Sequence, residues 1–320
     1  MSKTTIDTKR PGFFPADELD GAAAFYREQG FLVVTDALAE AEVQTLCDEG
    51  VAICRGQRGD VSLPDGLAPD PSLEDDAFIE NFLCIHHPHK ISTVMYDYLA
   101  QKTMVDALTR IIGPNVKCMQ SMLFIKSAGK PGQAWHQDED YIPTRDRSLC
   151  GGWIAMDDAT LENGCLWVIP GSHKPGVLWP QYPHNDPQFD CAVMSYDFPY
   201  SDDDAVPVEV PAGSIVFFNG YLLHRSLPNR ATTGFRRCLV NHYMSAESLL
   251  PWHHKEGVGM GKQDMRDIVM VAGEDPHAWK GVHPKGGAHV RPAGEGGCGD
   301  GRVDLETFKE EKPVEERAYL

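Results

Sequence analysis

A His-x-Asp dyad, His136-Gln-Asp138, and a distant His224 place the tightest constraint on how this chain can fold. Two imidazoles and one carboxylate that converge can hold an octahedral Fe(II) on one face, with the remaining positions open for a chelating co-substrate and O2. Segments far apart in sequence must then meet rigidly, and strands followed by short turns deliver side chains in that way. Both segments have the setting. The dyad follows an apolar run, Met122-Leu-Phe-Ile125, and a turn signal, Gly129-Lys-Pro-Gly132, while His224 follows the strand pattern Ser214-Ile-Val-Phe-Phe-Asn219. A second dyad, His184-Asn-Asp186, lies in the Pro- and Asp-rich Tyr182–Pro187 stretch with no strand pattern beside it, and reads as a surface loop. With 13 histidines in an acidic chain, one chance dyad is expected, so the surroundings carry the weight.

From residue 115 onward short apolar runs at 117–126, 151–157, 165–169, 207–210, 214–219 and 236–244 are separated by turn signals such as Glu162-Asn-Gly164, Pro170-Gly171 and Pro211-Ala-Gly213. Many short strands with Gly/Pro turns predict a sandwich or barrel. Ahead of them, Leu19, Ala22, Ala23 and Tyr26 recur at helical spacing in 15–30, which Gly30 stops, and a strand, Phe31–Val34, follows. Further helices are predicted over 39–54 and 92–112. The architecture expected is mainly β with helical buttresses: an N-terminal arm (1–14), one domain (15–301) with lid loops 57–77 and 181–206, and a charged tail (302–320) that reads as a solvated helix or arm.

Composition narrows the functions. The 320 residues suffice for a sizeable core, and 42% hydrophobic with 24% charged content is ordinary for a soluble globular chain. No run reaches the roughly 18–20 apolar residues that span a bilayer, and the N-terminus lacks a secretory apolar segment, so a cytoplasmic location is expected. The nine cysteines include no Cys-x-x-Cys pair. They read as reduced thiols, several of them in apolar strand-like runs, and not as a zinc cluster. A net charge of −18 repels nucleic acid and anionic membranes, which leaves a small molecule as the expected partner. Oligomeric state is not legible.

The segments Trp135-His-Gln-Asp138, Trp153-Ile-Ala-Met-Asp157, Glu162-Asn-Gly-Cys-Leu-Trp-Val-Ile-Pro-Gly-Ser-His173, His224-Arg-Ser-Leu-Pro-Asn229 and Gly234-Phe-Arg-Arg237 occur in this order. Together they resemble the phytanoyl-CoA dioxygenase family of Fe(II)- and 2-oxoglutarate-dependent oxygenases, over roughly residues 20–250. The resemblance implies a double-stranded β-helix, the cupin-like jelly roll whose two sheets enclose a metal. It implies that His136, Asp138 and His224 ligate Fe(II), that Arg236 grips the distal carboxylate of 2-oxoglutarate, and that Ser226 assists with its hydroxyl. Lys126 and Trp153 fall where the family has further co-substrate contacts, and Gln137 is a candidate for facing the same pocket. On their own residues, Lys126 also reads as a solvated strand end, Trp153 as a core aromatic and His173 as structural.

The spacing from His224 leaves Arg236 and Arg237 both open as the anchor. Strand alternation turns one of them inward, and Arg236, directly after the Gly-Phe turn, is favoured. A planar, permanently charged fork suits a carboxylate better than lysine does. With O2 as the third reactant, the implied reaction is hydroxylation of a small organic molecule, coupled to decarboxylation of 2-oxoglutarate to succinate and CO2. A carboxylate at Asp138 favours hydroxylation over halogenation, since halogenating relatives carry a small residue there. Two other functions compete: a cupin-type metalloenzyme independent of 2-oxoglutarate, and a catalytically silent jelly-roll binding protein. Substrate selectivity is expected in 57–77, in 139–147 (Glu139, Asp140, Tyr141, Arg145) and in 181–206. His242, His253 and His254 are further candidates to line the pocket, although nothing in their spacing demands it.

Overall fold

The structure, a computed structural model, describes residues 6–61, 63, 68–190, 193–253 and 255–292. Its strands are, in chain order, β1 (Phe13–Pro15), β2 (Phe31–Thr35), β3 (Phe82–His86), β4 (Val116–Ser127), β5 (Gln133–His136), β6 (Cys150–Ala155), β7 (Leu166–Val168), β8 (Gln181–Pro183), β9 (Val193–Ser195), β10 (Val206–Val208), β11 (Ile215–Asn219), β12 (His224–Ser226), β13 (Phe235–Ser245), β14 (Val269–Ala272) and β15 (His289–Pro292). The α-helices are α1 (Ala22–Gln29), α2 (Glu40–Cys54), α3 (Asp75–Ile79), α4 (Thr93–Asp97), α5 (Lys102–Ile111) and α6 (Asp138–Tyr141).

Pairing sorts the strands into a major sheet, in the order β1-β2-β11-β6-β13-β4-β3-β15 with β14 also on β4, and a minor sheet, β10-β7-β12-β5. Along the chain β4 to β7 alternate between the two sheets and, after β8 and β9, β10 to β13 do so again, which is the winding of a double-stranded β-helix. All pairs are antiparallel except β1 with β2.

Strand alternation divides the apolar residues between two cores. On β13, Cys238 and Val240 enter the core between the sheets, with Trp153, Val216, Phe218, Phe124 and Val168. Leu239 and Tyr243 face the other way, into the core that α1, α2, α4 and α5 complete. Each large apolar side chain so buried stabilises by about 1.5–3 kcal/mol. That total holds the sheets around the polar centre between them, whose desolvation works against folding.

Several elements differ from the sequence expectation. The 15–30 helix is confined to α1, because Gly21 and Gly30 both adopt left-handed φ of 82° and bracket it. Phe13 and Phe14, expected in a terminal arm, form β1 on the sheet edge. The 92–112 helix is broken at Gln101, whose extended backbone starts a new helix and whose side chain accepts from Met104 N. Loop 57–77 ends in α3, and its described residues Val61 and Leu63 are buried in the helical-side core. These two lie across the major sheet from the space between the sheets; residues 62 and 64–67 are outside the described residues. The 181–206 stretch is not wholly irregular: β8 and β9 form a hairpin, and Met194, Phe198, Tyr200 and Ala205 cover the outer face of the minor sheet against Trp135, Ile169 and Leu223. Those four side chains are packing on the outer face. Strands β14 and β15 lie in the Gly- and His-rich 251–301 stretch. The 302–320 tail, His254, Cys191 and Cys298 fall outside the described residues.

The seven described cysteines are buried free thiols. Among the described residues no helix is long and apolar enough to cross a membrane.

One glycine fixes the approach of the strands that carry the histidines. At Gly132, a Cβ would stand 1.9 Å from Ser226 O, a backbone atom that cannot swing away. Gly132→Ala is therefore expected to destabilise the fold by about 3 kcal/mol, the upper end of overpacking costs. Chemical denaturation checks this; a midpoint within error of wild type would contradict the close approach.

Candidate metal and co-substrate site

His136 closes β5 and His224 opens β12, and the two are direct partners across the minor sheet. Their rings lie 4.1 Å apart between centroids. The chain then runs through extended Gln137 (φ −130°, ψ 125°) into α6, so Asp138 returns to the side of His136 while Gln137 points the opposite way. The ligand atoms of His136, Asp138 and His224 all lie within 4.8 Å of one another, and the three residues are buried.

The tautomers follow from the hydrogen bonds. His136 Nδ1 lies 2.7 Å from Ala134 O and His224 Nδ1 lies 2.9 Å from Leu222 O. A carbonyl only accepts, so each Nδ1 carries the proton and each Nε2 presents a lone pair. Those lone pairs meet Asp138 Oδ1 at 3.7 and 3.6 Å. Three acceptors facing one another with no donor between them are unfavourable without a cation, and the set suits a divalent metal such as Fe(II). Burial pushes the His136 imidazole down to about 4, which keeps its Nε2 unprotonated at neutral pH. Burial would raise the Asp138 carboxyl, but His224, His242 and the hydrogen bond from His242 outweigh it and hold the group well below the usual carboxylate range.

For His242, on β13, the sequence suggests a place at the pocket but not its contact with Asp138. Its Nε2 donates to Asp138 Oδ2 at 3.0 Å, leaving Oδ1 for the histidine cluster. Outer hydrogen bonds of this kind fix a ligand's orientation, and their loss typically costs 10–100-fold in metal affinity. His242→Leu is therefore expected to weaken Fe(II) binding by about 10–100-fold, with His242→Gln, which keeps a donor, restoring part of it. Anaerobic Fe(II) titration reads both; equal affinity in all three proteins would sink the assignment.

Arg236 and Arg237 separate as alternation requires. Arg237 turns outward and makes two side-chain hydrogen bonds to Asp157, at 2.9 and 2.7 Å. Arg236 is 3% exposed and lies on the inner face, with its Cζ 5.6 Å from the centre of the Trp153 ring. Its NH1 donates to Cys238 Sγ at 3.0 Å, and among the described residues its Nε is buried without a partner and it forms no ion pair. Ser226 Oγ accepts from Lys126 Nζ at 3.0 Å and from Gln133 N at 3.2 Å, so its own proton remains to be donated. Arg236 and Ser226 thus offer donors only, as an anion requires.

The other candidates fall differently. Lys126 is not a solvated strand end. It is 3% exposed, and besides Ser226 its ammonium donates to Leu227 O at 2.8 Å and Gly164 O at 3.4 Å. With three acceptors engaged it braces β4 against β12 and positions Ser226; burial and the neighbouring charge of Arg236 hold it well below the ordinary lysine value. Trp153 belongs to the inner core and stiffens Arg236 from within it. Gln137 does not face the pocket: its Nε2 donates to Val177 O at 3.0 Å and Tyr221 O at 2.7 Å, and its Oε1 accepts from Trp179 N at 2.8 Å. It clamps the loops behind the metal. His173 Nε2 bonds Arg27 O at 3.1 Å, a structural link. Glu139 turns to Thr144 and Arg145 to Met260 O, whereas the Tyr141 ring stands edge-on to His136 at 6.2 Å.

A double-stranded β-helix with a buried His-Asp-His cluster and an unpaired inward arginine defines a non-heme iron oxygenase of the 2-oxoglutarate-dependent class. The chain belongs to the phytanoyl-CoA dioxygenase family, whose model matches residues 26–238. It is a dioxygenase whose cofactors are Fe(II), 2-oxoglutarate and O2. Over 259 residues it is 30% identical to a probable phytanoyl-CoA dioxygenase of Caenorhabditis elegans, covering 76% of this chain and 80% of that protein. The peroxisomal phytanoyl-CoA dioxygenase of Homo sapiens is 29% identical over 259 residues, 78% of this chain and 74% of that one. Among solved structures, the non-heme monooxygenase ThoJ superposes with a TM-score of 0.58 at 19% identity, covering 90% of this chain and 92% of its own. The carbocyclase SnoK from nogalamycin biosynthesis gives 0.58 at 19%, covering 80% and 98%. At such identities these likenesses show the fold.

Proposed function

We propose that the protein hydroxylates an unactivated C–H bond of a small organic molecule, coupled to decarboxylation of 2-oxoglutarate to succinate and CO2. One observation carries the reading: a donor-only pair, buried Arg236 and Ser226, lies between the same two sheets as an acceptor-only cluster, His136, Asp138 and His224. The first suits the distal carboxylate of 2-oxoglutarate and the second suits Fe(II). Bound there, iron with 2-oxoglutarate and O2 supplies the oxidising power that cleaves a C–H bond, chemistry no side chain can perform.

The chain's own residues bind and orient. His136, Asp138 and His224 would hold the metal, with the two backbone carbonyls and His242 fixing their orientation. Arg236 would clamp the far carboxylate of the co-substrate, steadied by Trp153, and Ser226 would donate its hydroxyl proton to the same group, held in place by Lys126. The apolar inner core around them excludes water, which strengthens the ionic contact. Asp138 fills the position that a halide would need.

The test is aerobic turnover in 18O2 with a candidate substrate library, reading succinate and product mass together. Succinate formation dependent on both Fe(II) and 2-oxoglutarate, with one labelled oxygen in the organic product, is the expected result. A product that has lost hydrogen and gained no oxygen would replace hydroxylation by desaturation or ring closure. Metal-dependent turnover indifferent to 2-oxoglutarate would favour a cupin-type enzyme.

A further inference from the structure

Two polar groups beside the metal cluster are used by neither the metal nor the co-substrate. Strands β5 and β9 pack side by side, and alternation along each sorts side chains by face. Trp135 and Met194 lie in the cluster on the outer face of the minor sheet. Their neighbours His136 and Ser195 therefore turn to the inner side. Gln181 is the cross-strand partner of Ser195, and such partners share a face. Gln181 is also joined to the metal ligands through Tyr141. Its Oε1 lies 3.3 Å from the Tyr141 hydroxyl, and the Tyr141 ring meets His136 edge-on.

Among the described residues, Gln181 Nε2 and Ser195 Oγ are nonetheless buried with no hydrogen-bond partner, and Ser195 is 2% exposed. A buried polar group left unpaired costs about 1–3 kcal/mol. Two of them on one face of a short hairpin, beside a metal cluster, destabilise the free protein without a return inside it.

We propose that Gln181 and Ser195 form the polar end of the substrate subsite, and that they take an uncharged carbonyl oxygen, as in a carboxamide, ketone or ester. With Oε1 accepting from Tyr141, Gln181 offers an N–H and Ser195 offers an O–H, two donors for one acceptor. Neither side chain has a Lys or Arg partner among the described residues. Asp186 stands in the loop that joins their two strands. A carboxylate is therefore disfavoured and a neutral carbonyl preferred. The inference rests on the oxygenase reading and adds to it: the carbonyl would fix which C–H bond of the substrate lies over the metal.

The experiment uses the full chain loaded anaerobically with Fe(II) and 2-oxoglutarate, whose chelate has a visible charge-transfer band. Hexanamide, hexanoate and hexylamine are titrated in, and perturbation of the band gives an affinity for each. Wild type is expected to bind hexanamide at least about tenfold more tightly than the other two, a difference of about 1.4 kcal/mol. Gln181→Leu and Ser195→Ala should each weaken hexanamide about tenfold, with Fe(II) and 2-oxoglutarate affinities unchanged. Ser195→Ala should melt no lower than wild type, because it removes an unpartnered hydroxyl. Binding of none of the three probes, no preference for the amide, or variants that bind hexanamide as wild type does would each overturn the subsite. A missing band before any probe is added would remove the oxygenase reading and this inference with it, a failure visible at a separate step.

Discussion

Asp138→Ala is expected to abolish catalysis, lowering succinate formation by at least about a thousandfold, or about 4 kcal/mol in transition-state terms. The carboxylate is the only anion among the three ligand side chains, so its loss leaves two neutral imidazoles to hold a divalent cation in a dry site. The damage extends one shell outward, because His242 Nε2 loses the oxygen to which it donates at 3.0 Å. Anaerobic Fe(II) titration and a succinate assay on the same preparation check both effects. Near-ultraviolet circular dichroism guards against misfolding. A variant that keeps succinate output within tenfold of wild type would remove Asp138 from the metal set.

The second large effect separates two adjacent arginines. Arg236→Ala is expected to weaken 2-oxoglutarate by about 100-fold or more, since charge-assisted bonds to a carboxylate in a buried site are the strong ones. Fe(II) binding should survive. Arg237→Ala should leave 2-oxoglutarate affinity nearly unchanged and instead lower stability. It strands Asp157, whose carboxylate takes two bonds from the Arg237 side chain and a third from its backbone N–H at 2.7 Å. The pair is only partly buried, with side chains about one-fifth exposed. A cost between surface and buried ion pairs is expected, about 1–3 kcal/mol. Co-substrate titration and thermal denaturation of both variants give the crossed result; equal behaviour of the two would discard the inward–outward assignment.

What the sequence disclosed was what depends on local pattern. Long strands such as β4 and β13 carry apolar runs, and the jelly roll follows from many such runs divided by turns. The dyad and His224 could be found because each sits beside a strand pattern. Strand β5 escaped notice, since four residues hold too little periodicity to read. The β8–β9 hairpin was hidden by its prolines and acidic residues. The role of His242 was not legible, because its partner is 104 positions away and nothing local points to Asp138. Adjacency to the ligands alone suggests Gln137 for the pocket, whereas the strand alternation that separates Arg236 from Arg237 turns it outward.

That alternation has a mechanical consequence along β13. Arg236 and His242 share one face of this strand, three alternations apart, so the clamp for the co-substrate and the brace for Asp138 ride on the same ruler. Its pairing with β4 runs from Phe235 opposite Ser127 to Ser245 opposite Val116. Inserting or deleting one residue before Arg236, with pairing otherwise kept, would leave both groups in phase. The same change between Arg236 and His242 would send one of them to the helical side. Natural variation in this strand is therefore constrained in length before it is constrained in identity, and an indel there acts as a phase error between two cofactors.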